Sequence, residues 1–198
     1  MDQNKEFVCQ ARVERTLKAL AKNRIPAVYV PNREEAVKTV ESMLRPGDVV
    51  TCGGSMTLAE TGVMDLLKSG AYEFLDRQTM DQEEVYRKTF GADVFLMSAN
   101  AITEDGELYN VDGNGNRVAA LIFGPKRVIV VAGVNKLVRN LDEAIARVKC
   151  MAAPANGVRL ETHTPCSRLG RCASCDGGMT SGCASQRRMC CQYVVTGY

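Results

Sequence analysis

The chain has 198 residues and a mass of 21.6 kDa, with 45% hydrophobic and 24% charged residues. That is the size and balance of a globular domain with a substantial core, and it excludes disorder and collagen-like structure. The net charge of +2 gives no field for a nucleic-acid backbone, and the longest apolar run, 128–134, is far short of the roughly 20 residues of a spanning helix.

Helical and strand patterns alternate along the body. Residues 6–24 read as an amphipathic helix with Phe7, Val8, Ala11, Leu17, Leu20 and Ala21 near helical spacing. After Pro26, 27–30 reads as a short strand, and 33–44 as a helix stopped before Pro46-Gly47. A β-rich run, 48–52, ends in Gly53-Gly54-Ser55, and a helix is expected to begin at Met56 or Thr57. A strand at 72–75, a helix at 82–90 and an apolar strand at 93–97 follow. Asp105-Gly106 lies between two β-like runs and predicts a hairpin. Residues 117–123 read as a helix, 127–132 as a buried strand and 141–150 as a closing helix. Residues 152–157, AAPANG, read as a hinge. Strands separated by helices predict an α/β fold, Rossmann-like, with a mainly parallel sheet and helices on both faces. The expected organisation is an α/β domain over 1–157 and a cysteine-rich tail over 158–198 packed on it.

Four segments can carry chemistry. In the first, 51–60, a strand feeds a glycine pair and then a helix start, which suits an anion. Gly53, Gly54, Ser55 and Thr57 are the candidates, and Thr57 with Glu60 has the spacing of a helix capping box. The second, 98–117, follows a buried strand, where open α/β sheets bind ligands. It gathers Asn100, Thr103, Asp105, Asn110, Asp112, Asn114, Gly115, Asn116 and Arg117, although a long polar loop is also the composition of a solvated turn. The third is Asn135-Lys136, at the end of the 127–132 strand, where the lysine can reach an anion or simply meet water. The fourth is the tail. Of nine cysteines, six lie in the last 33 residues: Cys166, Cys172, Cys175, Cys183, Cys190 and Cys191. The polar start MDQNKEF shows no secretion signal, so a reduced, cytoplasmic compartment is expected, where clustered thiols point to metal or redox chemistry rather than a disulfide framework. Cys172-x2-Cys175 can hold a metal or two corners of a cluster, and Cys166 with one downstream cysteine would complete four sulfur ligands. Residues 159–198 carry five arginines, no lysine and two acids, a net +3. His163, the sole histidine, reads as a surface residue.

The segments GGSMTLAETG, SANAITEDGELYNVDGNGNRVAALIFGPKRVIVVAGVNKLV and PCSRLGRCASC…RRMC resemble the lactate utilisation (LUD) domain family over nearly the whole chain. The resemblance implies the fold of glucosamine-6-phosphate deaminase, ribose-5-phosphate isomerase and the CoA transferases. It implies lactate or organic-acid utilisation with a small anionic ligand, a 4Fe-4S iron–sulfur cluster on Cys166, Cys172, Cys175 and Cys190, and a redox partner protein. Zinc is the alternative metal. The other open readings are an enzyme on a phosphorylated sugar or CoA thioester and a non-catalytic, zinc-stapled binding module. A homodimer is also left open, and no catalytic residue is identified. Related sequences are expected to run on through one more strand beyond VVTGY.

Overall fold

The computed structural model describes residues 2–197. In chain order the elements are α1 (Gln3–Lys22), α2 (Arg33–Met43), β1 (Val49–Cys52), α3 (Met56–Thr61), α4 (Val63–Leu67), β2 (Glu73–Leu75), α5 (Gln82–Thr89) and β3 (Val94–Met97). They continue with β4 (Ala101–Thr103), β5 (Leu108–Asp112), α6 (Asn116–Phe123), β6 (Arg127–Val130), a 3-10 turn (Val134–Lys136) and β7 (Leu137–Val138). Next come α7 (Leu141–Arg147), a π-helical segment (Val148–Ala152), α8 (Ala153–Arg159), α9 (Pro165–Leu169) and β8 (Gln192–Thr196). The chain divides into two compact units: Met1–Tyr29 with Ala99–Gly115 and Val134–Tyr198, and Val30–Ser98 with Asn116–Gly133. Residues 158–198, read from sequence as a tail, belong to the first of these.

The second unit holds a parallel sheet of order β2-β1-β3-β6. The strands expected at 48–52, 93–97 and 127–132 are therefore neighbours, as their apolar character predicts. β3 is buried along its whole length. Val94 and Leu96 pack with Val40 and Leu44 of α2, Leu58 of α3 and Val63 and Leu67 of α4. Phe95 and Met97, pointing the other way, pack with Ala120 of α6. A strand covered on both faces has no use for alternation, which is why VFLM is apolar throughout.

The first unit holds a mixed sheet of order β7-β4-β5-β8. β4 and β5 form the expected hairpin around Asp105-Gly106. Gly106 has φ +84°, and a Cβ there would sit 2.4 Å from the backbone carbon of Ala19, so only glycine lets the turn lie against α1. Arg12 and Arg15 of α1 grip Glu104 at 2.7 and 2.8 Å, beside the same turn. β8 adds to the other edge of β5 in antiparallel register. Tyr109 and Val111 of β5, Val138 of β7, Ala144 and Ile145 of α7, Val148, Ala153 of α8 and Cys190 share one core.

Several expectations change. Residues 27–30 form no strand: Val28 and Tyr29 are exposed and no ladder reaches them. The buried face of α1 is Val13, Thr16 and Leu20, while Phe7 and Val8 point to solvent. The helix expected at 141–150 is α only to Arg147, and the expected hinge at 152–157 is helical, the π segment running into α8. Pro154 sits in the first turn of α8, where its missing N–H costs nothing. α3 is capped by Ser55, whose hydroxyl accepts the Leu58 N–H at 3.3 Å, and Thr57 lies inside the helix rather than capping it with Glu60. β7 and β8, which complete the second sheet, have no counterpart in the sequence reading.

Candidate functional site

The residues singled out from the sequence are divided between the two units. In the second unit, Gly53 follows β1, and its N–H donates to Leu96 O at 2.9 Å, holding the loop at the carboxyl end of the sheet. A Cβ on Gly53 would meet Arg117 Cδ at 3.2 Å and Phe95 Cζ at 3.4 Å, so the glycine lets the Arg117 stem lie directly on the loop. Arg117, in the first turn of α6, donates from Nη1 to Ser98 O at 3.3 Å, just after β3. Gly53, Ser98 and Arg117 thus meet at the edge where parallel sheets bind ligands. Asn116 precedes Arg117 in α6, Gly54 is exposed, Ser55 and Thr57 are half-buried, and Glu60 is exposed.

In the first unit, the Asn100 Oδ1 accepts the Val111 N–H at 2.9 Å, and its carbonyl accepts from Arg147 Nη1 at 2.5 Å. Arg147 Nε also reaches the carbonyl of Asn135 at 3.3 Å. Burial pulls the Arg147 guanidinium below the ordinary arginine value. Lys136 is half-buried in the 3-10 turn. Thr103 is consumed by the hairpin: its hydroxyl donates to Glu107 Oε2 and accepts the Glu107 N–H, both at 3.0 Å. Asp105 is exposed in the turn, and its carbonyl accepts from the Asn23 amide at 3.1 Å. Asn110 is fully buried in β5. Asp112 accepts the Gly113 N–H at 2.9 Å and, through its carbonyl, the Cys191 N–H at 3.1 Å. Asn114 is exposed and Gly115 half-buried in the turn that follows.

The tail, also in the first unit, lines a cavity. Cys166, Cys172, Cys183 and Cys190 line one cavity with Lys149, Arg188, Thr164, Met189 and Pro154. Cys166 is in the first turn of α9, with its Sγ 3.3 Å from the Thr164 hydroxyl. The Cys172 N–H donates to the Lys149 carbonyl at 3.0 Å, pinning the C-x2-C segment to the π turn. Burial pushes the Cys172 thiol up, offset by a bond from Ser174 and the Lys149 charge, with Cys175 and Cys190 adding to the rise. Cys175 is exposed and does not line the cavity; its Sγ accepts the Gly177 N–H at 3.4 Å. Cys191 points to the Asp112 and Gly113 carbonyls. His163 is exposed. All nine cysteines are free thiols.

Three of the four cysteines expected as ligands, Cys166, Cys172 and Cys190, therefore share the cavity, Cys183 joins them, and Cys175 lies outside. Sequence spacing missed Lys149, a charged residue only 2% exposed in an otherwise apolar helical run. Among the described residues no three histidine, cysteine or acidic side chains converge tightly enough to hold a single metal ion. Zinc needs four donors about 2.3 Å from one point. A cubic cluster spreads its four thiolates over separate irons, and an all-sulfur donor set is one that either group takes. The cavity itself is small, about 20 Å³, enough for a water. The 173–187 segment, which supplies Ala173 and Cys183 to the lining, carries neither helix nor strand.

A model of the LUD domain matches residues 13–198. No match is found among curated proteins. The chain belongs to the LUD domain family.

Proposed function

We propose that this LUD-domain chain serves lactate or organic-acid utilisation, holding an iron–sulfur cluster on its tail and a small anion near its glycine loop. The observation that carries the cluster is the cavity in which Cys166, Cys172, Cys183 and Cys190 meet Lys149 and Arg188. Six thiols lie within 33 residues, all unpaired in the structure, and ligation would occupy their sulfur. Cys166, Cys172 and Cys190 are the shared ligands. The fourth is Cys175, by the family pattern, or Cys183, by its place in the cavity wall. When bound, the cluster would carry one electron at a time; oxidation of a hydroxy acid releases two electrons and two protons, so two such transfers to a partner protein would complete it.

The anion is supported by Arg117 laid on Gly53 and tied to Ser98. Its positive charge stands at the carboxyl edge of the sheet, and a carboxylate or phosphate is the ligand class that fits a guanidinium. Anaerobic reconstitution of single Cys→Ser variants, read by bound iron and acid-labile sulfide, tests the cluster. Loss of nearly all iron is expected from Cys172→Ser and from Cys190→Ser. Full occupancy in both sinks the cluster, and the pair Cys175→Ser and Cys183→Ser identifies the fourth ligand.

A further inference from the structure

The cavity wall contains two cations and no carboxylate. Lys149 is 2% exposed, and its Nζ donates to the Ser181 carbonyl, a neutral group. The Tyr193 ring centroid lies 6.0 Å away. The acid that feels its charge, Asp176, is exposed and accepts the Gly178 N–H at 3.0 Å. Arg188 spends its guanidinium on the carbonyls of Cys190 (3.1 Å), Thr180 (2.9 Å), Ser181 (3.0 Å) and Cys183 (3.4 Å) and on the Tyr193 hydroxyl (2.6 Å). A buried ammonium whose direct hydrogen-bond partner is a neutral carbonyl, with its acid Asp176 exposed, is costly to desolvate, and negative charge arriving beside it offsets that cost.

Two further observations point to the same place. Lys149 lies in the π-helical segment Val148–Ala152, and a π turn re-aims side chains and is frequent at functional sites. The Tyr109 hydroxyl is buried without a hydrogen-bond partner, in the same core cluster as Cys190 and Tyr193. A ligand or an ordered water arriving beside it would supply the missing acceptor.

We propose that Lys149 is the buried counter-charge of the tail's thiolate centre, with the Tyr109 hydroxyl as a supporting donor, and that together they raise the reduction potential of the cluster held there. The proposal rests on the cluster reading above. An electron entering the cluster adds one unit of negative charge to a centre already rich in thiolate charge. A fixed cation and a donor beside it stabilise that reduced form more than the oxidised one. Lys149 and Tyr109 are positioning residues: neither touches a substrate, and both act through the centre.

The test is a dithionite titration of the anaerobically reconstituted full chain, followed by electron paramagnetic resonance, for the wild type, Lys149→Met, Lys149→Arg and Tyr109→Phe. Iron content is measured in parallel. Wild type that takes up no iron and sulfide ends the cluster reading itself, and this inference with it, before any variant is compared. With the wild type loaded, the proposal expects Lys149→Met to shift the midpoint to more negative potential at equal iron content. Lys149→Arg should stay near the wild type, and Tyr109→Phe should shift less, in the same direction. An unchanged midpoint in Lys149→Met, or the same shift in Lys149→Arg as in Lys149→Met, overturns it. If Lys149→Met fails to fold or to load, Tyr109→Phe decides: a negative shift supports the proposal and no shift refutes it.

Discussion

Cys52 and the tail cysteines show one residue type under opposite demands. At the end of β1, Cys52 lies with its thiol 3.7 Å from the Met64 sulfur, and burial, far more than the charges of Arg77, Asp76 and Lys68, pushes it up to about 11. At pH 8 such a thiol carries roughly 100-fold less thiolate than an ordinary one, from a shift of about two units. Iodoacetamide at that pH, with modified sites mapped by mass spectrometry, should label exposed Cys150 at least ~10-fold faster than Cys52; equal rates would contradict the burial argument. The linked stability follows the same sign. The unfolded thiol ionises from its ordinary value of 9.0, whereas the folded one stays protonated to about 11. The contribution is therefore complete below pH 9 and is lost as pH rises through the folded value. A half-buried, neutral Cys52 is a packing residue, in contrast to tail thiols gathered beside two cations.

Among the elements, the β4–β5 hairpin is the most demanding piece of geometry. Gly106→Ala forces a positive φ on alanine and drives its Cβ into the α1 backbone at Ala19. The combined cost is about 3 kcal/mol, from roughly 1–2 for the left-handed backbone and more for overpacking against a rigid neighbour. Urea denaturation should show a midpoint lowered at unchanged slope, and a midpoint within error of wild type would refute this contact. The hairpin was legible in sequence because Asp105-Gly106 is local turn chemistry. β3 was legible because burial on both faces leaves a continuous apolar run, and β1 by its short apolar run; β6 was read from the same composition as a buried strand, but at the edge of the sheet it is only half-buried, with Arg127 exposed. The errors share a different cause. Residues 27–30 have β-like composition but no partner strand, and pairing is non-local. The 152–157 segment looked like a hinge because Ala, Pro and Gly were read by composition, although Pro154 at the start of a helix is favourable. Of the candidate site, the clustering of tail cysteines was visible, but the cavity was not. It depends on Lys149 and Arg188 arriving from elements 39 residues apart in sequence, since 188 − 149 = 39. Likewise Thr103 looked like a ligand residue and is a hairpin brace.

At the scale of the whole molecule, the chain passes between its two units at 29/30, 98/99, 115/116 and 133/134, so neither unit is a continuous piece of sequence. The tail is built into the first unit: β8 pairs with β5 from Leu108↔Thr196 to Asp112↔Gln192. Deleting 187–198 removes Cys190 from the core and leaves one edge of β5 without its partner strand, while β4 still pairs with the other. The truncated chain should melt at lower temperature and scatter light on standing, whereas a soluble chain with the wild-type melting temperature would show that β8 is an ornament. Cysteines that both ligate a centre and anchor a strand would couple cluster loss to loosening of the sheet. That coupling depends on the tail centre being an iron–sulfur cluster. The most direct measurement is the metal and acid-labile sulfide content of the full chain purified without oxygen. The account predicts about four iron and about four sulfide per chain; stoichiometric zinc without labile sulfide would contradict it.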